Sequence, residues 1–209
     1  MRETFSRIYA DGAWAVAEGE PLSGVGSTLE ATSEYRMLVE GYLCKRDRFR
    51  TVVDIGCGDW TFSQFIAWGS AFYIGLEVVP GLVRGLRLQH RERSRVAFFE
   101  CDVTQSKLPC GDLVLVKDVL QHWPNETIRR FIPRLACYQH VLLTNTVEDC
   151  GRGVNGENED CEAGGFRPLD LHLPPFNLRA ECLLSYWVNG ADGVSKQRKE
   201  VLRLRQSDA

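Results

Sequence analysis

Three carboxylates, Asp54, Glu77 and Asp102, stand at or near the ends of three short strand-like runs: Thr51 to Ile55, Ala71 to Val78 and Val96 to Glu100. Behind the first run comes Val52-Val53-Asp54-Ile55-Gly56-Cys57-Gly58-Asp59-Trp60. Gly56 and Gly58 permit a tight turn there and a close approach of backbone to ligand. A glycine turn ends many strands and says little alone. Its position after the first strand of an alternating series, at the carboxyl edge where doubly wound sheets bind ligands, gives it weight.

Two kinds of ligand compete for such a turn. A nicotinamide dinucleotide sets its pyrophosphate on a helix N-terminus and wants a third glycine, where this chain has Thr61. Asp59 would place negative charge against those phosphates. S-adenosylmethionine has no phosphate and presents a positive sulfonium and an amino group, which Asp54 and Asp59 suit. Glu77 follows Gly56 by 21 residues, close to the spacing of about 20 for a ribose-binding acid, and is expected to accept from both ribose hydroxyls. Asp102, in Cys101-Asp102-Val103, is expected to accept from the adenine amino group. Singly, each reads equally well as a surface strand end; three in register favour the ligand.

The elements that must position these groups follow from periodicity. Ser27-Thr28-Leu29-Glu30 reads as a capping box, after a loop over Glu20 to Gly26. It opens a helix whose Tyr35, Leu38, Val39, Tyr42 and Leu43 form one apolar stripe. Helices are expected from about Trp60 to Trp68, from Pro80 to about Arg93, and from about Pro124 to Leu135, with Pro133 kinking or splitting the last. Leu113 to Val116 is apolar throughout, as strands buried on both faces tend to be, and His140 to Thr146 is a fifth strand. Strands alternating with helices imply a parallel sheet covered on both faces. Val147 to Gly165 is a long acidic loop. Ala180 to Val188 and Glu200 to Arg205, separated by Asn189-Gly190-Ala191-Asp192-Gly193, suggest a hairpin and an antiparallel addition.

Composition sets outer bounds. At 209 residues, 44% hydrophobic and 25% charged, the chain suits one domain with a real core. A net charge of −3 makes the whole chain a poor trap for nucleic acid. The run Arg84, Arg87, Arg91, Arg93 and Arg95 reads as a solvated helix face rather than a phosphate patch. Met1 to Trp14 alternates polar and apolar residues, lacks the apolar core of a signal peptide and is left without an element. No apolar run reaches membrane-spanning length, so a cytoplasmic location is the expectation. The eight cysteines form no Cys-x-x-Cys pair and are expected as thiols, Cys150 and Cys161 included. The four histidines have no metal-ligand spacing, so no metal is expected.

The run from Thr51 to about Thr146 resembles the class I, Rossmann-like S-adenosylmethionine-dependent methyltransferases. Asp54-Ile55-Gly56-Cys57-Gly58 is similar to the family's glycine motif, Glu77 to its ribose-binding acid and Asp102 to its adenine-side acid. Asp112 to His122 resembles its fourth-strand motif. Asp59 stands where the family often has another glycine. The resemblance implies an α/β fold: a doubly wound, mostly parallel seven-stranded sheet with an antiparallel C-terminal hairpin strand and helices on both faces. It divides residues 1–209 into an N-terminal loop and lid helix (1–50), a cofactor-binding core (51–146) and a substrate wall with the hairpin (147–209).

S-adenosyl-L-methionine is the implied cofactor, held by Asp54, Gly56, Cys57, Gly58, Asp59, Glu77, Val78, Asp102, Val103 and Asp118. The fourth-strand end faces the reacting methyl in this family, so Lys117, Asp118 and His122 are the catalytic candidates. His122 or Asp118 would serve as base; a structural histidine and an orienting aspartate are the alternatives. Trp123 is expected to pack, as is Tyr35. Arg36 is a candidate to reach ligand or substrate, and Arg167, in the wall Gly164 to Leu171, a candidate substrate contact. O-methylation of a small-molecule or glycan hydroxyl is the expected reaction. RNA or protein methylation, and a non-catalytic cofactor-binding partner subunit, are the competing readings.

Overall fold

The computed structural model describes residues 1–15, 21–44 and 49–204. Glu20 of the expected loop and Arg205 of the expected last strand lie outside them. The strands are β1 (Thr51–Ile55), β2 (Phe72–Glu77), β3 (Val96–Glu100), β4 (Leu113–Lys117), β5 (His140–Asp149), β6 (Arg152–Gly153), β7 (Ala180–Asn189) and β8 (Lys196–Leu204). They form one sheet in the order β3-β2-β1-β4-β5-β8-β7, with β6 attached to β5. The first five are mutually parallel. β8 runs antiparallel to both β5 and β7, so the expected hairpin closes the sheet.

Helices α1 (Arg2–Ala10), α2 (Ser33–Cys44), α3 (Pro80–Gln89) and α4 (Asn125–Phe131) cover the sheet. Alternation along each strand divides the core. Val53, Ile55, Val114, Val116 and Leu143 face one side with Ile128 and Phe131 of α4 and Phe5 of α1. Val52, Leu113, Leu115 and Leu142 face the other side with Tyr35, Val39 and Tyr42 of α2. On that same side Tyr73 and Phe98 meet Val83 and Leu86 of α3. Because side chains alternate with period two, Asp54 and Lys117 share the α2 side. Both stand at the edge where the parallel strands end.

Several expectations need correction. The helix expected over Trp60 to Trp68 is only a 3-10 turn at Ser63–Phe65. Gly58 and Trp60 both hold left-handed backbone, with φ of 56° and 57°, which no helix accommodates. The aromatic rings also disperse instead of forming a stripe: Trp60 packs on Tyr73 and Phe98, and Phe62 on Tyr35. Without a helix there, the glycine turn has no dipole to offer a phosphate.

The capping box also fails. Ser27 ends a short 3-10 turn and α2 begins only at Ser33, because the Thr28 hydroxyl instead accepts from the Ala31 N–H at 3.2 Å and closes a local turn. α3 stops at Gln89, short of Arg93, and Pro133 splits the fourth helix into α4 and a 3-10 stretch, Ile132–Cys137. The acidic loop starts late, since β5 continues to Asp149 and folds back on β6. Met1 to Trp14 contains α1, whose apolar residues Phe5, Ile8 and Tyr9 match a helical stripe with the capping Met1. All eight cysteines are thiols.

Candidate functional site

A cavity of about 300 Å³ opens at the carboxyl edge of the parallel strands. Every residue expected at the cofactor or at the chemistry lines it: Asp54, Gly56, Cys57, Gly58, Asp59, Glu77, Val78, Asp102, Val103, Lys117, Asp118 and His122. Tyr35, Arg36 and Arg167 do not. The strand order explains the gathering. β3, β2, β1 and β4 are neighbours, so Asp102, Glu77, Asp54 and Asp118 follow one another across the edge at successive strand spacings of about 4.8 Å.

The turn holds its shape through glycine. Gly56 has φ of 69°, and a Cβ on it would stand 2.4 Å from the Val119 side chain. Glu77 organises the turn electrically. Its Oε1 accepts from the N–H groups of Val78 at 2.8 Å and Val79 at 3.0 Å, and its Oε2 from Gly58 at 3.1 Å. Burial raises its pKa and those three donors oppose the rise. With about four lone-pair sites on a carboxylate, Oε2 keeps one open, enough for one ribose hydroxyl rather than the expected two.

Asp59 is partly committed elsewhere. Its Oδ2 accepts from the Ser23 N–H at 3.3 Å while its own N–H donates to Ser23 Oγ at 3.2 Å. Tyr9 Oη joins Ser23 Oγ at 2.9 Å, so α1 and residues 21–27 are tied over the glycine turn. Asp102 Oδ1 accepts from the Thr104 hydroxyl at 2.6 Å and its N–H at 3.1 Å. Asp54 lies buried, accepting from the Tyr73 hydroxyl at 2.5 Å. Burial outweighs that bond and the Lys117 charge, and pushes its carboxyl up to about 7.

At the end of β4 the charges change sign. Asp118, itself left-handed with φ of 55°, sits between two ammoniums: Lys117 at 2.5 Å on Oδ2 and Lys199 at 2.7 Å on Oδ1. Burial would raise its pKa, but the two lysines outweigh it and hold the carboxyl well below the usual carboxylate range. With both oxygens engaged by ammoniums, Asp118 suits orienting rather than base catalysis. Lys117 Nζ also donates to the Gly26 carbonyl at 3.0 Å and lies over the Tyr35 and Phe62 rings.

His122 has the complementary character. Nδ1 is 2.7 Å from the Gly165 carbonyl, which only accepts, so Nδ1 carries the proton and Nε2 keeps its lone pair, with the Gln121 amide nitrogen 3.5 Å away as a weak donor. Burial pulls its pKa down to about 4, keeping the ring neutral. Trp14 packs over it at 4.7 Å between centroids and Phe166 lies at 5.9 Å.

Arg167, by contrast, is fully occupied in tying the wall together. Its guanidinium donates to the Glu159 and Gln121 carbonyls at 2.8 and 2.9 Å and to Asn125 Oδ1 at 2.7 Å. Its neighbour Phe166 reaches the cavity instead. Trp123 packs edge-on against Phe131 while also lining the cavity. Sequence reasoning missed Phe5, Tyr9, Trp14, Ser23 and Lys199, all of which line it. The apolar spacing of Met1, Phe5, Ile8 and Tyr9 was a signal for α1; Lys199 had none.

No family model and no curated protein matches the chain by sequence. Solved structures do. The magnesium protoporphyrin IX methyltransferase of Synechocystis PCC 6803, with S-adenosylhomocysteine bound, aligns at 16% identity and TM-score 0.64 over 96% of each chain. The N-methyltransferase NodS of Bradyrhizobium japonicum WM9 aligns at 15% and 0.63, over 94% of this chain and 98% of that one. The 1,6-didemethyltoxoflavin-N1-methyltransferase of Burkholderia thailandensis aligns at 15% and 0.66, over 98% and 87%. The chain therefore has the class I methyltransferase fold, a mostly parallel sheet ending in antiparallel strands.

Proposed function

We propose that a chain with this fold and this cavity is an S-adenosylmethionine-dependent methyltransferase that O-methylates a hydroxyl of a small molecule or glycan. The observation that carries the reading is the row of carboxylates, Asp102, Glu77 and Asp54, on three adjacent strand ends beside a glycine turn that has no helix behind it. That combination fits a cofactor with an adenosine end, a cationic end and no phosphate. Asp102 would hold the adenine amino group, the open lone pair of Glu77 a ribose hydroxyl, and Asp54 and Asp59 the cationic methionine end. All three proteins described above bear methyltransferase names, and all three are described with S-adenosylhomocysteine bound.

The bound cofactor supplies a methyl already activated by its sulfonium. What remains for the chain is alignment, exclusion of water and care of one proton. Proximity in a closed site supplies most of the acceleration in such a displacement. Trp14, Phe166 and α1 close the cavity around His122. His122 Nε2, neutral and unprotonated, takes the hydroxyl proton as the acceptor oxygen attacks. Asp118, fixed as an ion by its two lysines, orients and does not exchange a proton. The arginine run does not favour RNA. Arg87 holds the Phe98 carbonyl, Arg95 the Ser70 carbonyl, and Arg93 lies over Trp60, so these side chains brace the sheet edge.

The test is incubation of the purified chain with methyl-labelled S-adenosylmethionine and host extract divided into small-molecule, glycan, RNA and protein fractions. Label in the small-molecule or glycan fraction, on oxygen, supports the reading. Label in RNA or protein overturns the acceptor class. Cofactor binding without transfer to any fraction points to the partner-subunit reading, and no binding of S-adenosylhomocysteine overturns the whole.

A further inference from the structure

The cofactor reading leaves two buried cations sharing one carboxylate, and one of them with a donor unused. Lys117 and Lys199, 8% and 2% exposed, both line the cavity and both contact Asp118. Two ammoniums thus share one carboxylate. Asp54 acts on Lys117 and Asp149 on Lys199 through space, and burial draws the Lys199 pKa down despite Asp118. Each ammonium has three N–H donors. Lys117 uses two, on Asp118 and the Gly26 carbonyl; Lys199 uses two, on Asp118 and the Thr146 hydroxyl at 3.0 Å. The third side of Lys117 faces the Tyr35 and Phe62 rings, so among the described residues the donor that remains is on Lys199.

Position in the sheet tells which ligand would meet them. Adenine and ribose belong to β3 and β2, and the methionine end to the turn after β1. β8 lies two strands beyond β4 on the opposite side, so the Lys199 backbone stands roughly 10 Å past the β4 edge, given a strand spacing of about 4.8 Å. Ala191 and Gln197 line the cavity beside it, and Trp14 and Phe166 provide aromatic walls around His122.

We propose, resting on the methyltransferase reading, that the acceptor is a small flat organic anion whose carboxylate or phenolate docks on the free donor of Lys199, beside the Lys117 charge. Buried charge demands a partner, and charge-assisted hydrogen bonds in a closed cavity are about twice as strong as neutral ones. The anion completes the Lys117–Asp118–Lys199 cluster and sets the acceptor's orientation toward the methyl. Lys199 is then a specificity-determining residue.

Calorimetric binding of benzoate and of its neutral isostere benzamide to the full chain, with and without S-adenosylhomocysteine, tests this directly. Benzoate is expected to bind at least about tenfold more tightly, to bind together with S-adenosylhomocysteine, and to lose its preference in Lys199→Met but not in Lys199→Arg. Phenolate chemistry is read separately with 4-nitrophenolate, whose absorbance shifts on binding to ammonium. Since Asp118 keeps Lys117 when Lys199 is replaced, Lys199→Met should melt no lower than wild type; Lys199→Gln repeats the measurement if the methionine variant does not fold. Equal affinity for benzoate and benzamide overturns the proposal, as does a preference that survives in Lys199→Met. Displacement of benzoate by S-adenosylhomocysteine also overturns it, because the lysines would then hold the cofactor's own carboxylate. Failure to bind S-adenosylhomocysteine sinks the methyltransferase reading instead, and the benzoate comparison without it still reads the cation site.

Discussion

Replacing Asp54 by asparagine isolates the cost of a buried carboxylate at the cofactor turn. The side chain keeps its shape and an oxygen for the Tyr73 hydroxyl. In the folded chain the Asp54 carboxyl is pushed up to about 7 from an ordinary 3.8, chiefly by burial. Between those values the folded state holds a proton that the unfolded state has released, so stability falls as pH rises through this window. The shift is about three pH units, and each corresponds to about 1.4 kcal/mol, so above pH 7 the ionised group costs the fold roughly 4 kcal/mol. The Asp54→Asn variant carries no such penalty at any pH. Urea denaturation of both proteins should therefore give nearly equal stabilities at pH 4 and a variant more stable by up to roughly 4 kcal/mol at pH 8. The same variant should bind S-adenosylmethionine less well, having lost the carboxylate proposed to meet its cationic end. A stability difference independent of pH would refute the reasoning, and so would a wild type more stable at pH 8. Either result would mean that Lys117 compensates Asp54 fully.

Other perturbations separate the parts of the site. Glu77→Ala should weaken S-adenosylhomocysteine binding by about 1–3 kcal/mol through a lost hydrogen bond to a charged acceptor; calorimetry showing wild-type affinity would remove its ribose role. Gly56→Ala forces a Cβ to 2.4 Å from Val119 at φ of 69°, a strain of about 1–3 kcal/mol measurable by urea denaturation, and Val119→Ala should recover part of it. His122, held near 4 by burial, is neutral above about pH 5, so the pH profile of kcat/KM should show no acid limb near 6.5. His122→Ala should reduce kcat about 10²–10⁴-fold; unchanged turnover would assign the proton elsewhere.

The half of the cavity proposed for the cofactor is legible in the chain because each part is local. Asp54 and Gly56 are two residues apart, Glu77 ends β2, Asp102 follows β3 closely, and a parallel sheet brings strand ends together whatever the loops do. The helix over Trp60 to Trp68 misleads because its aromatic residues serve different packing sites, not one stripe. Arg167 misleads for a related reason. An arginine in a loop reads as exposed, whereas here three hydrogen bonds to the surrounding loops consume its guanidinium.

The half proposed for the acceptor is a product of long-range assembly. Lys199 meets Asp118 only because β8 pairs with β5 in a register that sets Lys199 opposite Thr146, and a shift of one residue would turn its side chain to the other face. Trp14 reaches His122 only because α1 and Ser23 are tied to Asp59 across the glycine turn. The Ser23–Asp59 and Lys199–Asp118 contacts span 36 and 81 positions in sequence, and no local pattern encodes them. The division has a chemical consequence. A fold that keeps one cofactor must keep its local motifs, while the hairpin and N-terminal segment, proposed as the acceptor wall, are free to change. Acceptor identity is therefore to be sought in the pairing of Lys199 with Asp118 and in the rings around His122, and not in the turn that identifies the cofactor.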